Sequence, residues 1–162
     1  MSFDIEYTFK EKLYECERHI EKINIAKKYL SKYIPLTVDM YLNLTDADAG
    51  FVDQLVFRFS KLQDTIGENI FPSLLKLTKE DTKRKTFIDI LNRLEELEVI
   101  SRVEWLMLRE IRNEIAHEYS FNKEQVVESI VKVYNSTDRL IAVYNQVYAF
   151  CKEKLLLPGD KD

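Results

Sequence analysis

Arg109, Arg112, Asn113, His117 and Tyr119 fall within one eleven-residue stretch, Arg109-Glu-Ile-Arg112-Asn113-Glu-Ile-Ala-His117-Glu-Tyr119. His117 is one of two histidines in the chain. Histidine exchanges a proton near neutral pH. Arginine makes paired hydrogen bonds to phosphate oxygens and stabilises the extra negative charge of a transition state. No carboxylate or cysteine cluster at metal-ligand spacing accompanies them, so neither a metal nor a cofactor is expected. The set suits metal-independent RNA cleavage, in which a ribose 2′-hydroxyl attacks its own phosphate. His117 would move a proton and Arg112 would hold the phosphorane. Each residue also has a structural reading. A histidine near a helix end can bind a terminal carbonyl, Arg112 can pair with Glu104, Glu110 or a neighbouring helix, and Tyr119 can belong to the core.

The spacing predicts a helix from Ser101 to Glu118 or Tyr119, opened by the capping box Ser101-Arg-Val-Glu104. At 100° per residue, Leu108, Ile111 and Ile115 form its core stripe, and Arg102, Arg109, Asn113 and His117 share another flank, with Trp105 beside it. Asn113 sits one turn below His117 and can orient the imidazole. Arg112 and His117 diverge by about 140° around the helix. One helix therefore carries half a site, and two helices paired across a twofold axis would complete it.

The rest of the chain reads as helical scaffold. The first expected helix, Phe3 to Tyr33, has the apolar stripe Ile5, Phe9, Cys16, Ile20, Ile23 and Leu30, with His19 on the surface among Glu15, Arg18 and Lys22. Pro35 ends it, and a linker runs to Leu44. Thr45 or Asp46 caps a second helix reaching Leu77, with Asp48 in its first turn and a kink ahead of Pro72. That helix is apolar on more than one side, which suits a central position or a shared face. Arg58 lies on the apolar side, either paired with Asp53 or Asp64 or pointing into a dimer cleft together with Arg109. Lys79 to Lys85 reads as a solvated loop, and Thr86 to Glu98 as a short third helix. Asn122 with Gln125 caps the last helix, whose two heptad tracks suit a bundle member touching two neighbours.

Composition supports this reading. Three glycines and three prolines in 162 residues are too few for β meanders, so an all-α antiparallel bundle of four to five helices is expected, as one domain over 1–157 with a frayed tail at 158–162. A net charge of −4 argues against charge-driven binding to nucleic acid at large, DNA included, or to membrane. It leaves room for a local basic site. The amino end shows no leader pattern and no run of residues is apolar enough to span a bilayer. Cys16 and Cys151 fall on apolar faces, as buried thiols of a cytoplasmic protein would.

Arg112-Asn-Glu-Ile-Ala-His117 resembles the Arg, polar residue, spacer, His pattern of HEPN domains. Extended to Arg112-x4-His117-x-Tyr119, it resembles the signature of HepT-type toxins, which are paired with MNT-type minimal nucleotidyltransferase antitoxins. Phe57-Arg-Phe-Ser-Lys-Leu-Gln-Asp64 and Leu91-Asn-Arg-Leu-Glu95, leading to Trp105, are similar to the corresponding family segments. The resemblance implies a helical bundle that dimerises, with a ribonuclease site where two motifs meet. It assigns Arg112 and His117 to catalysis and Asn113 to support, and makes Tyr119 the residue to which the antitoxin adds AMP. A non-catalytic HEPN module that binds a nucleotidyltransferase or its nucleotide is the alternative it leaves open, and a plain helical interaction protein is a third.

Overall fold

The computed structural model describes residues 2–115 and 120–154. The expected end of the fourth helix, His117, Tyr119 and the expected tail lie outside them. All regular elements of the described residues are helical. α1 (Ser2–Leu30) closes in a 3₁₀ turn, Ser31–Tyr33. α2 is Val38–Leu42 and α3 is Asp46–Thr65. A π turn, Ile66–Ile70, leads into α4 (Phe71–Leu77). α5 (Phe87–Glu96), α6 (Arg102–Glu114) and α7 (Lys123–Lys154) follow. No helix of the described residues is long and apolar enough to cross a membrane.

Side-chain locks give the helix directions. Gln54 donates to the Lys22 carbonyl, Arg58 meets His19, and Thr65 donates to Glu15, so α1 and α3 run antiparallel. Trp105 packs on Gly67 and Phe71 while Arg112 reaches Asp64, so α6 is antiparallel to the same stretch. Lys27 of α1 donates to Thr137 at 2.6 Å and Asp138 at 3.0 Å, and the Tyr144 hydroxyl donates to the Leu13 carbonyl, which docks α7 antiparallel to α1. α3 thus lies against α1, α6 and α7. Its Val52, Leu55, Phe59 and Leu62 are buried, as expected of a central helix.

The helix ends follow local chemistry. Thr45 caps α3 by accepting from the Asp48 amide, and the Tyr33 hydroxyl donates to Asp48 in that first turn. Ser101 caps α6 by accepting from the Glu104 amide at 3.3 Å. Asn122 accepts from the Gln125 amide at 3.3 Å at the start of α7. Thr86 and Asp89 form a reciprocal capping box on α5. α5 stops at a left-handed Glu98, with the Val99 amide returning to the Leu94 carbonyl.

Two expectations, the uniform linker and the surface position of His19, need correction, and the disturbance expected ahead of Pro72 takes a specific form. The linker from Pro35 to Leu44 contains α2, capped by Thr37, and five residues are too few to show a helical period. The kink ahead of Pro72 takes the form of the π turn, in which the Phe71 amide bonds to the Ile66 carbonyl. Proline has no amide to give to Glu68, which favours this local widening. His19 is buried rather than on the surface. Its sequence neighbours are charged, but it follows Cys16 by three residues and precedes Ile23 by four, so it lies on the buried stripe.

Trp105, which the wheel put beside the polar flank, is a core residue with its ring edge-on to Phe71 at 4.7 Å. Its indole N–H has no partner among the described residues. A β-carbon on Gly67 would stand 3.0 Å from the Trp105 ring. The buried ring, edge-on to Phe71, would have to shift by a few tenths of an ångström to admit it. Gly67→Ala is therefore expected to lower stability by about 1 kcal/mol or more despite alanine's better helix propensity, through overpacking. Denaturant titration read by fluorescence of the single tryptophan checks this, and an unchanged midpoint would refute it. Burial pushes the thiols of Cys16 and Cys151 up to about 12, and both are free. An aromatic disulfide reagent should label neither in the native protein and both after denaturation.

Candidate functional site

Arg112 opens onto a groove of about 640 Å³ between α3, α6 and α7. From α3 come Val52, Asp53, Val56, Phe57, Ser60, Lys61 and Asp64. α6 supplies Arg112 and Ile115, α7 supplies Val126, Ser129 and Ile130, and Tyr41 of α2 closes one end. The α3 residues share a face because they step by three and four. The lining carries Asp53, Asp64, Lys61 and Arg112, two charges of each sign.

Asp64 holds the Arg112 guanidinium through two parallel bonds, Nε to Oδ1 at 3.3 Å and Nη2 to Oδ2 at 3.2 Å. Both side chains are about one-third exposed, 32% and 33%, so the pair faces the groove rather than the core. Solvent screens a pair this exposed, and its contribution to stability is at most about 1 kcal/mol. Its stronger consequence is geometric. The fork is held in one orientation, and a phosphate entering the groove offers the same bidentate acceptor that the carboxylate now provides.

The other sequence-selected residues separate. Asn113 is exposed and does not line the groove. Arg109 lies over the Phe87 ring of α5, 4.8 Å from its centroid, and is likewise absent from the groove wall. Arg58 is paired with neither Asp53 nor Asp64. Its Nη1 donates to His19 Nδ1 at 3.0 Å, and its guanidinium lies 5.5 Å from the centroid of the Phe57 ring. His117 and Tyr119 fall outside the described residues. Among the described residues, no group of three or more histidine, cysteine, aspartate and glutamate side chains could hold a metal ion.

Composition and wheel arguments passed over Phe57, Ser60, Lys61 and Ser129. The available signal was the run Asp53, Phe57, Lys61 with Ser60 and Asp64, a mixed stripe along an otherwise apolar helix.

Behind the groove, His19 is part of a polar network between α1 and α3. Arginine has only donors, so the bond from Arg58 requires a lone pair on His19 Nδ1. The imidazole proton then sits on Nε2, facing Glu15 Oε1 at 3.4 Å. Thr65 donates to the same carboxylate oxygen at 3.1 Å and Lys12 to the other at 3.1 Å. Burial depresses the His19 pKa, and the adjacent Arg58 and Lys61 charges add to this against the pull of Glu15. Burial alone would raise Glu15, but its bonds from Lys12, Thr65 and His19 bring it below its usual value.

A histidine whose folded pKa is depressed binds fewer protons in the native state than in the unfolded chain between the two values. Stability there rises with pH. The contribution is complete above the ordinary value of 6.5 and is lost as pH falls below it toward the folded pKa. Denaturant midpoints of wild type and His19→Gln, compared across that window, should show a steeper pH slope for wild type. His117 is common to both proteins and does not affect the comparison. Equal slopes would sink the neutral-imidazole assignment. Compared with known proteins, the chain matches no family model, no curated protein and no solved structure.

Proposed function

We propose that this chain is a HepT-like toxin, a metal-independent endoribonuclease whose composite site forms between two copies and is neutralised by an MNT-type nucleotidyltransferase. The observation that carries the reading is Arg112, presented on the wall of a groove by a two-point bond from Asp64. It stands on α6 and begins the sequence motif Arg112-x4-His117-x-Tyr119. Ile115, two residues before His117, lines the same groove.

In the proposed reaction the 2′-hydroxyl loses its proton to a base and attacks the adjacent phosphorus. The bond to the 5′-oxygen breaks, and that oxygen takes a proton. The products are a 2′,3′-cyclic phosphate and a 5′-hydroxyl. His117 transfers a proton and Arg112 stabilises the charge gathering on the phosphorane oxygens. Asp64 keeps the guanidinium in place before substrate arrives, and Asn113 supports His117. The step needs a base for the 2′-hydroxyl proton and an acid for the 5′-oxygen, so histidine can serve both only if the partner's His117 supplies the second transfer; no metal enters the balance, and cleavage should persist in EDTA.

One observation favours the alternative of a non-catalytic HEPN module. Asp64 already engages two of the Arg112 donors, and Asp53 adds a second carboxylate to the groove. In that reading Arg112, His117 and Tyr119 form a surface for the nucleotidyltransferase or its nucleotide.

Expression of wild type beside Arg112→Ala and His117→Ala, with growth and RNA integrity followed, separates the two. Wild type is expected to arrest growth and degrade RNA. Each substitution should lower cleavage by about 10²-fold or more. Co-expression with a nucleotidyltransferase partner should restore growth and add AMP to wild type but not to Tyr119→Phe. Harmless expression together with a purified dimer that cuts no RNA would remove the nuclease reading. A monomer at micromolar concentration would remove the shared site.

A further inference from the structure

Phe57 is half exposed on the rim of the Arg112 groove, on the open side of α3. Two cations flank it on the same helix. Both lie over the ring, the Arg58 guanidinium at 5.5 Å and the Lys61 ammonium at 5.7 Å from its centroid, and a stacking base would displace the more mobile of them from the face it takes. The first is fixed in place from behind, since Arg58 Nη1 donates to the neutral imidazole of His19, which is itself held by Glu15. An exposed aromatic ring with positive groups beside it offers a base a π face and its flanking phosphates a counter-charge. The neighbouring wall carries the Ser60 and Ser129 hydroxyls and the Asp53 carboxylate, which can accept from ribose hydroxyls and base amino groups. A groove of about 640 Å³ lies within the size range of small-ligand sites.

From this arrangement we infer that Phe57 is a stacking platform for an unpaired base, and that the substrate is single-stranded RNA lying along α3 toward Arg112. The inference rests on the ribonuclease reading for its direction, but its geometry is separate from His117. Arg58 and Lys61 at the ring outnumber the Asp53 carboxylate beside it, and this local excess of positive charge favours a phosphodiester strand, which brings a base to stack and a negative charge in every repeat, over a second copy of the chain. A base inside a duplex is already stacked on both faces and cannot reach the ring, which sets strandedness as the discriminating property.

The test uses full-length His117→Ala, so that RNA is bound and not consumed, and fluorescence anisotropy with a labelled short oligouridylate. The same measurement is made with that strand annealed to its complement. Adding Phe57→Ala or Phe57→Leu should weaken single-strand binding by about ten-fold, while Phe57→Trp should retain it. Lys61→Gln should make binding less dependent on salt, by about one phosphate contact. The leucine variant keeps an apolar side chain without the π face, so it separates stacking from plain apolar contact. Single-strand affinity in the Phe57→Ala and Phe57→Leu variants equal to that of the His117→Ala parent overturns the proposal, as does equal preference for duplex. A lower sedimentation mass in Phe57→Ala also overturns it, since the ring would then be covered by a second copy. If wild type cleaves RNA and Phe57 is indifferent, this platform falls and the nuclease reading stands. If wild type does not cleave but binding depends on Phe57, the nuclease reading falls and the platform stands. Absence of any RNA binding overturns both.

Discussion

The burial of α3 between α1, α6 and α7 is the constraint on which the other features depend. Where α3 is covered by its neighbours its polar groups cannot reach water, and unpaired buried donors and acceptors are costly. Gln54, Arg58 and Thr65 meet this by reaching a residue on α1, and Asp64 reaches Arg112 from the groove side, while the buried amide of Gln63 has no partner among the described residues. Those bonds also set the register. Gln54, Arg58 and Thr65 tie α3 to successive turns of α1, and Asp64 ties it to α6. Apolar side chains supply most of the driving force, but they tolerate sliding more readily than paired polar groups do.

The site inherits its geometry from this arrangement. Arg112 is placed by Asp64, and Arg58 is placed beside Phe57 by His19, which depends in turn on Glu15, Lys12 and Thr65. The network around Glu15 is thus the back of the groove wall. A neutral His19 is built into it, because Arg58 can only donate. The two histidines of the chain therefore have different tasks. His19 orients a cation, while His117 is the residue proposed to move a proton.

The separation of Arg109 and Asn113 from the groove also follows from packing. On a wheel they share a flank, but α6 has a second neighbour in α5, and Arg109 turns to the Phe87 ring there. Trp105 goes the other way, into the core beside Gly67, because the widened turn ahead of Pro72 brings a residue without a side chain to face it. The flank expected to form one polar surface is divided between two helix contacts.

Residue types and their periods determined the helical class, the caps at Thr45, Ser101 and Asn122, the stop before Pro35, the disturbance before Pro72 and the burial of both cysteines. These are local properties: a cap bonds within three residues, proline acts within one turn, and an apolar stripe needs only its own helix. They also singled out the Arg112 motif, which is a contiguous pattern. Tertiary structure alone decided that Asp64 belongs to Arg112 and not to Arg58, that His19 is buried, and that Phe57 opens onto the groove. Each of those facts joins residues far apart in the chain, and many carboxylates and cations were available to pair. The choice among them is made by helix register and packing, which no periodicity within one helix encodes.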